Sequence, residues 1–128
     1  MSDNVIVLAA EFDRANADHL QRCLDLLGYQ ARLAITGRDV LDLMRRELFS
    51  GAVIATELAL DGQPLLPRVS RLPALECLVA TGPAGDVQSE LLARRGGASA
   101  FLPRPVTVNA LANALRLLSA RLPSRRRA

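Results

Sequence analysis

Among the residues able to do chemistry, Glu57 has the most suggestive setting. The apolar run at residues 52–55 lies just ahead of it, with Ser50-Gly51 before the run and Asp61-Gly62 after it. Four apolar residues between turn-formers are too few for a helix. They predict a buried central strand that delivers Glu57 to its carboxyl end. In open α/β sheets that edge is where ligands and reactions sit. The other reactive types are less suggestively placed. His19 falls on a predicted helix between Asp18 and Leu20 with no second ligand nearby, and is expected to be a solvated helix residue. Cys23 and Cys77 fall in a predicted helix and strand, outside any CxxC or Cys/His spacing, and are expected as buried thiols, with no disulfide and no metal site. Gly82-Pro83-Ala84-Gly85 and Gly96-Gly97 match neither GxGxxG nor a P-loop.

A chain of 128 residues suits one domain with a proper core. Half of it is hydrophobic but only 3% is aromatic, so that core must be Leu, Val, Ala and Ile. No apolar run is long enough to span a bilayer and no signal-peptide pattern opens the sequence, so a cytoplasmic location is expected. All 16 basic residues are Arg, against 13 acidic ones, and residues 125–127 alone contribute the net +3. The remainder is balanced. Nucleic-acid binding through this domain is therefore not expected. Arg94 and Arg95 end a predicted helix, where cations suit the dipole.

The elements that must position Glu57 follow in order. Residues 5–10 form a continuous apolar run, as in a parallel strand covered on both faces. A helix over 13–27 carries Ala17, Leu20, Leu24 and Leu27 and stops at Gly28. Residues 29–34 read as a peripheral strand. Thr36 to Asp39 resembles a capping box opening a helix with Val40, Leu41, Met44 and Leu48 as its stripe. After the Glu57 strand, Pro64, Pro67 and Pro73 leave room only for a short or irregular helix. A fourth strand spans 75–81, a helix 86–95 and a fifth strand 98–102. Thr107 caps a last helix bearing Val108, Leu111, Leu115 and Leu118 and running to Pro123. This predicts an α/β, flavodoxin-like doubly wound sheet of five parallel strands, order 2-1-3-4-5, with five helices, the third short. The domain is placed at 1–122, with 123–128 an Arg-rich tail or the start of a linker.

Phe101-Leu102-Pro103-Arg104-Pro105, Gly97-Ala98, Ala80-Thr81, Leu27-Gly28-Tyr29 and Asp61-Gly62, in this order and spacing, resemble the receiver domain of bacterial response regulators over residues 5–122. The resemblance implies phosphoryl transfer to an Asp after the third strand, an acidic pair after the first that helps hold Mg²⁺, a hydroxyl ending the fourth, and a Lys near the end of the fifth. A hard dication needs several oxygen ligands, and the Lys and hydroxyl bind phosphoryl oxygens. This chain departs at most of these positions. Ala9 and Ala10 stand where the acidic pair belongs, with Glu11 beside rather than in it. Glu57 takes the acceptor position with one extra methylene, enough to spoil in-line geometry. Arg104 replaces the Lys with a planar fork. Thr81 is retained, and Phe101 matches the aromatic that moves in signalling receivers. Ser99 and Ala100 stand where the usual dimer face often has acids.

Two readings of each pair stay open. Glu57 and Arg104 form a salt bridge that fixes one state, or a degenerate pocket tolerates a half-exposed carboxylate. Thr81 and Phe101 form a switch answering a partner, or they end a strand and fill the core. The expectation is a non-enzymatic pseudo-receiver without metal or cofactor. It would act as a phosphorylation-independent interaction module for a kinase, a regulator or a fused output domain, with a homodimer possible. The alternatives are a receiver accepting phosphate at another residue, with Glu11 or Asp61 serving the metal, and a small-ligand sensor using the same crevice.

Overall fold

The computed structural model describes residues 5–122. Five parallel strands form the central sheet: β1 (Ile6–Ala10), β2 (Gln30–Ala34), β3 (Gly51–Ala55), β6 (Cys77–Pro83) and β7 (Ala100–Arg104). Their order is β2-β1-β3-β6-β7, which is the predicted 2-1-3-4-5 once a small hairpin is set aside. That hairpin pairs β4 (Ala59–Leu60) with β5 (Gln63–Pro64) in antiparallel register. Asp61 (φ 52°) and Gly62 (φ 76°) turn it, both with the positive φ that a tight two-residue hairpin favours.

The strands read as unbroken apolar runs because both faces are covered. Leu8, Ala10, Ala52, Ile54, Leu78 and Ala80 pack on one side with Val40, Phe49, Leu66 and Ala93. Val7, Ala9, Val53 and Val79 pack on the other with Leu20, Leu24, Leu111, Leu115 and Leu118. The helices supplying these partners are α1 (Arg14–Leu27), α2 (Gly37–Arg46), α3 (Leu66–Val69), α4 (Val87–Arg95), α5 (Val108–Ala114) and α6 (Arg116–Ser119). Asp13, Thr36, Asp86 and Thr107 cap four of them by accepting a backbone N–H.

The structure departs from the sequence reading in four places. The predicted last helix is two helices, α5 and α6, making six in all among the described residues. At the break the Cys77 thiol donates to the Ala114 carbonyl (3.1 Å) and the Tyr29 hydroxyl to the Leu115 carbonyl (3.2 Å), while the Leu118 N–H bonds Leu115 three residues back. Buried side-chain donors take the carbonyls where the α-helical ladder stops. Leu48 is 78% exposed rather than in the α2 stripe, because Glu47 is extended and turns Phe49 into the core instead. The fourth and fifth strands run on to Pro83 and Arg104, so Thr81 lies inside β6 and Arg104 inside β7. Pro103 is tolerated there because β7 is an edge strand. His19 is half-buried, donating from Nε2 to the Val106 carbonyl at 2.6 Å rather than facing water. Cys23 and Cys77 are free and buried, and burial pushes both thiols up. The Arg-rich tail at 123–128 lies outside the described residues.

Candidate functional site at the carboxyl edge of the sheet

The apolar run of β1 ends at Ala10, and Glu11 is the first residue past it. Its N–H continues the ladder by bonding the Ala34 carbonyl at 3.0 Å. Ala9 and Ala10 stay inside the strand, fully buried on opposite faces, opposite Val53 and Ile54 of β3. Glu11 therefore enters the pocket, although the resemblance placed it beside the functional position. Its side chain is only 1% exposed. A buried carboxylate demands partners, and two residues provide them. The Thr81 hydroxyl donates to Oε2 at 2.6 Å, and Arg104 Nη1 donates to Oε1 at 3.0 Å.

Arg104 is the hub. Besides Glu11, its Nη1 donates to Glu57 Oε1 (3.2 Å) and to the Thr81 hydroxyl oxygen (3.3 Å), and its Nη2 donates to Glu57 Oε2. The guanidinium also lies over the Phe12 ring, 4.7 Å from its centroid. One planar fork thus joins Glu11 and Glu57, which follow β1 and β3, to Thr81 of β6 from the end of β7. The geometry is one a Lys ammonium cannot reproduce, since only a guanidinium offers paired donors to a carboxylate. Glu57 and Arg104 form the salt bridge that was one of the two readings left open, and Thr81 joins them.

The electrostatics are lopsided. Two carboxylates share one guanidinium, and one of them is out of water. Burial pushes the Glu11 carboxyl above its ordinary value, and the nearby Glu57 charge adds to this against the pull of Thr81 and Arg104.

Phe101 is half-buried against the core, and Gly82 makes room for it: a Cβ there would meet the ring at 2.8 Å. Asp61 sits at the exposed hairpin tip rather than among these groups. The sequence reading missed Phe12, and it named Glu11 only beside the acidic pair or as a ligand in an alternative, not as the partner of Thr81 and Arg104. Glu11 carried a usable signal, a carboxylate closing an apolar run, which is the same feature that marked Glu57. Phe12 carried none, because its role depends on where Arg104 reaches.

These residues do not fit the Mg²⁺ that the receiver resemblance implies. The guanidinium is bonded to both carboxylates, so the space between them already holds a cation. No cluster of three or more His, Cys, Asp or Glu suited to a metal occurs among the described residues. Both Glu57 oxygens accept from Arg104, so this carboxylate is engaged by the chain's own cation.

No protein-family model matches the chain. Two response regulators resemble it in sequence. It is 30% identical over 123 residues to the response regulator MprA of Mycolicibacterium vanbaalenii, covering 89% of this chain and 50% of that protein. It is 29% identical over 106 residues to the transcriptional regulatory protein ZraR of Escherichia coli, covering 81% of this chain and 24% of that one. The chain thus spans half the length of one curated relative and about a quarter of the other. Among solved structures it is similar to a CheY-like response regulator receiver domain protein from Methanospirillum hungatei, with a TM-score of 0.76, 19% identity, and coverage of 92% of this chain and 95% of that one. The chain has the fold of a CheY-like receiver domain, and in sequence it is similar to two response regulators.

Proposed function

We propose that this domain is a pseudo-receiver: a non-enzymatic, phosphorylation-independent protein-interaction module of cytoplasmic two-component signalling or transcriptional control. The observation that carries the reading is the Thr81 hydroxyl donating to Glu11 while Arg104 bonds Glu11, Thr81 and Glu57 together. In the receiver scheme a free hydroxyl and a free cation recognise an arriving phosphoryl group. Here both are committed to carboxylates of the chain itself. The four strand ends are held in one arrangement, so the domain presents one surface to its partner, whether a kinase, another regulator or an output domain.

The test is intact-mass spectrometry after incubation with acetyl phosphate and Mg²⁺, alongside a phosphorylatable receiver as control. The native chain is expected to stay unmodified while the control gains a phosphoryl group. A stable phosphoryl adduct on Glu57 or any other carboxylate would overturn the reading.

A further inference from the structure

The pocket is acidic by composition, yet its centre is a cation supplied by the chain. Arg104 reaches across the edge with 11% of its side chain exposed and touches Glu11 at 1% and Glu57 at 35%. The Phe12 ring covers one face of the guanidinium. A divalent ion entering between the carboxylates would have to displace the guanidinium from both, or sit beside it against direct repulsion in a poorly screened site. Without the guanidinium, Glu11 and Glu57 would be two like charges with no cation between them, and the Thr81 hydroxyl would remain on Glu11. Two carboxylates, a hydroxyl oxygen and water are the oxygen set a small hard dication accepts.

We infer that the Arg104 guanidinium is the resident cation of this pocket, occupying the place between Glu11 and Glu57 that a divalent ion would need, so that the native chain excludes divalent ions and a chain lacking this side chain admits them. The inference deepens the pseudo-receiver reading and rests on it for the pocket's role. It assigns the exclusion of divalent ions to Arg104, which bonds both carboxylates.

The probe is Mn²⁺, a hard dication whose unpaired electrons broaden nearby amide signals, titrated into the full chain and followed by two-dimensional NMR and thermal midpoint. In the native chain the amides of Glu11, Glu57 and Thr81 should stay sharp. In Arg104→Ala they should broaden, with the apparent affinity for Mn²⁺ rising by at least about tenfold and the midpoint rising with the ion. Adding Glu11→Gln to Arg104→Ala should abolish both effects. Should Arg104→Ala fail to fold, Arg104→Gln keeps part of the aliphatic stem and an amide donor without the charge, and is read the same way. Broadening in the native chain overturns the inference, as does a folded Arg104 variant that stays silent. The two readings fail separately. A phosphoryl adduct on a native chain that excludes Mn²⁺ sinks the functional proposal alone. Mn²⁺ entering a native chain that never accepts phosphate sinks this one alone.

Discussion

Two Arg–Glu contacts on this molecule have similar geometry and opposite consequences. At the carboxyl edge of the sheet, Arg104 meets Glu11 at 3.0 Å with both side chains almost out of water. On the outer face of α4, Arg94 meets Glu90 at 3.2 Å with the two side chains 73% and 47% exposed. The second pair is one helical turn apart in sequence and forms whenever α4 forms. The first joins residues 93 positions apart and exists only when β1 and β7 have both docked on the sheet. Distance does not separate these pairs; the surrounding dielectric and the alternative of hydration do. The exposed pair can dissolve into water at little cost. The buried carboxylate has no such alternative.

The largest expected effect comes from breaking the buried side. Arg104→Ala leaves Glu11 buried with only Thr81, and removal of one partner of a buried pair costs about 3–5 kcal/mol. Urea denaturation should show it as a lower midpoint at an unchanged slope. A loss below about 1 kcal/mol would mean the contact behaves like the α4 pair. Next is the packing that flanks the network. Gly82→Ala drives a Cβ to 2.8 Å from the Phe101 ring and should cost about 1–3 kcal/mol as overpacking. NMR should show the Phe101 ring resonances displaced. Unmoved ring signals would mean the ring has freedom the structure does not give it.

A pH series sharpens the contrast. The Glu11 carboxyl titrates above its ordinary value when folded, mainly through burial. Between the unfolded and folded values the native state therefore binds the extra proton. The stability this carboxyl contributes is fully present below its unfolded value and is lost as pH rises through the folded one. Glu11→Gln has no such group. Subtracting its stability from that of the native chain should give a curve that falls as pH rises above about 4.5. A curve that rises instead would place Arg104 and Thr81 ahead of burial. The smallest effect belongs to α4, where Arg94→Ala should leave the urea midpoint unchanged within error. A clear drop there would remove the contrast.

The legibility of the molecule followed the range of the interactions. The five strands and the caps at Thr36 and Thr107 were readable because alternation, apolar runs and capping act within a few residues. The break after Ala114 was not, since it depends on Tyr29 and Cys77 arriving from distant elements. His19 was misread for the same reason: its partner is the Val106 carbonyl, 87 residues away. Leu48 and Phe49 exchanged places because one extended residue, Glu47, reversed which side faces inward.

The pocket divides along the same line. By itself the sequence determined that the strands would be parallel and doubly covered, and hence that Glu57 and Arg104 would stand at one edge, because a buried apolar run can only release its next polar residue at its end. That Glu11 joins Glu57 in taking the Arg104 hydrogens was decided only by the tertiary structure. β1 carries its pairing through Ala10 before releasing the chain, so the alanines stay in the core and Glu11 enters the pocket. A shift of one residue along a strand exchanges its two faces, and where the strand stops depends on the neighbouring strands it pairs with.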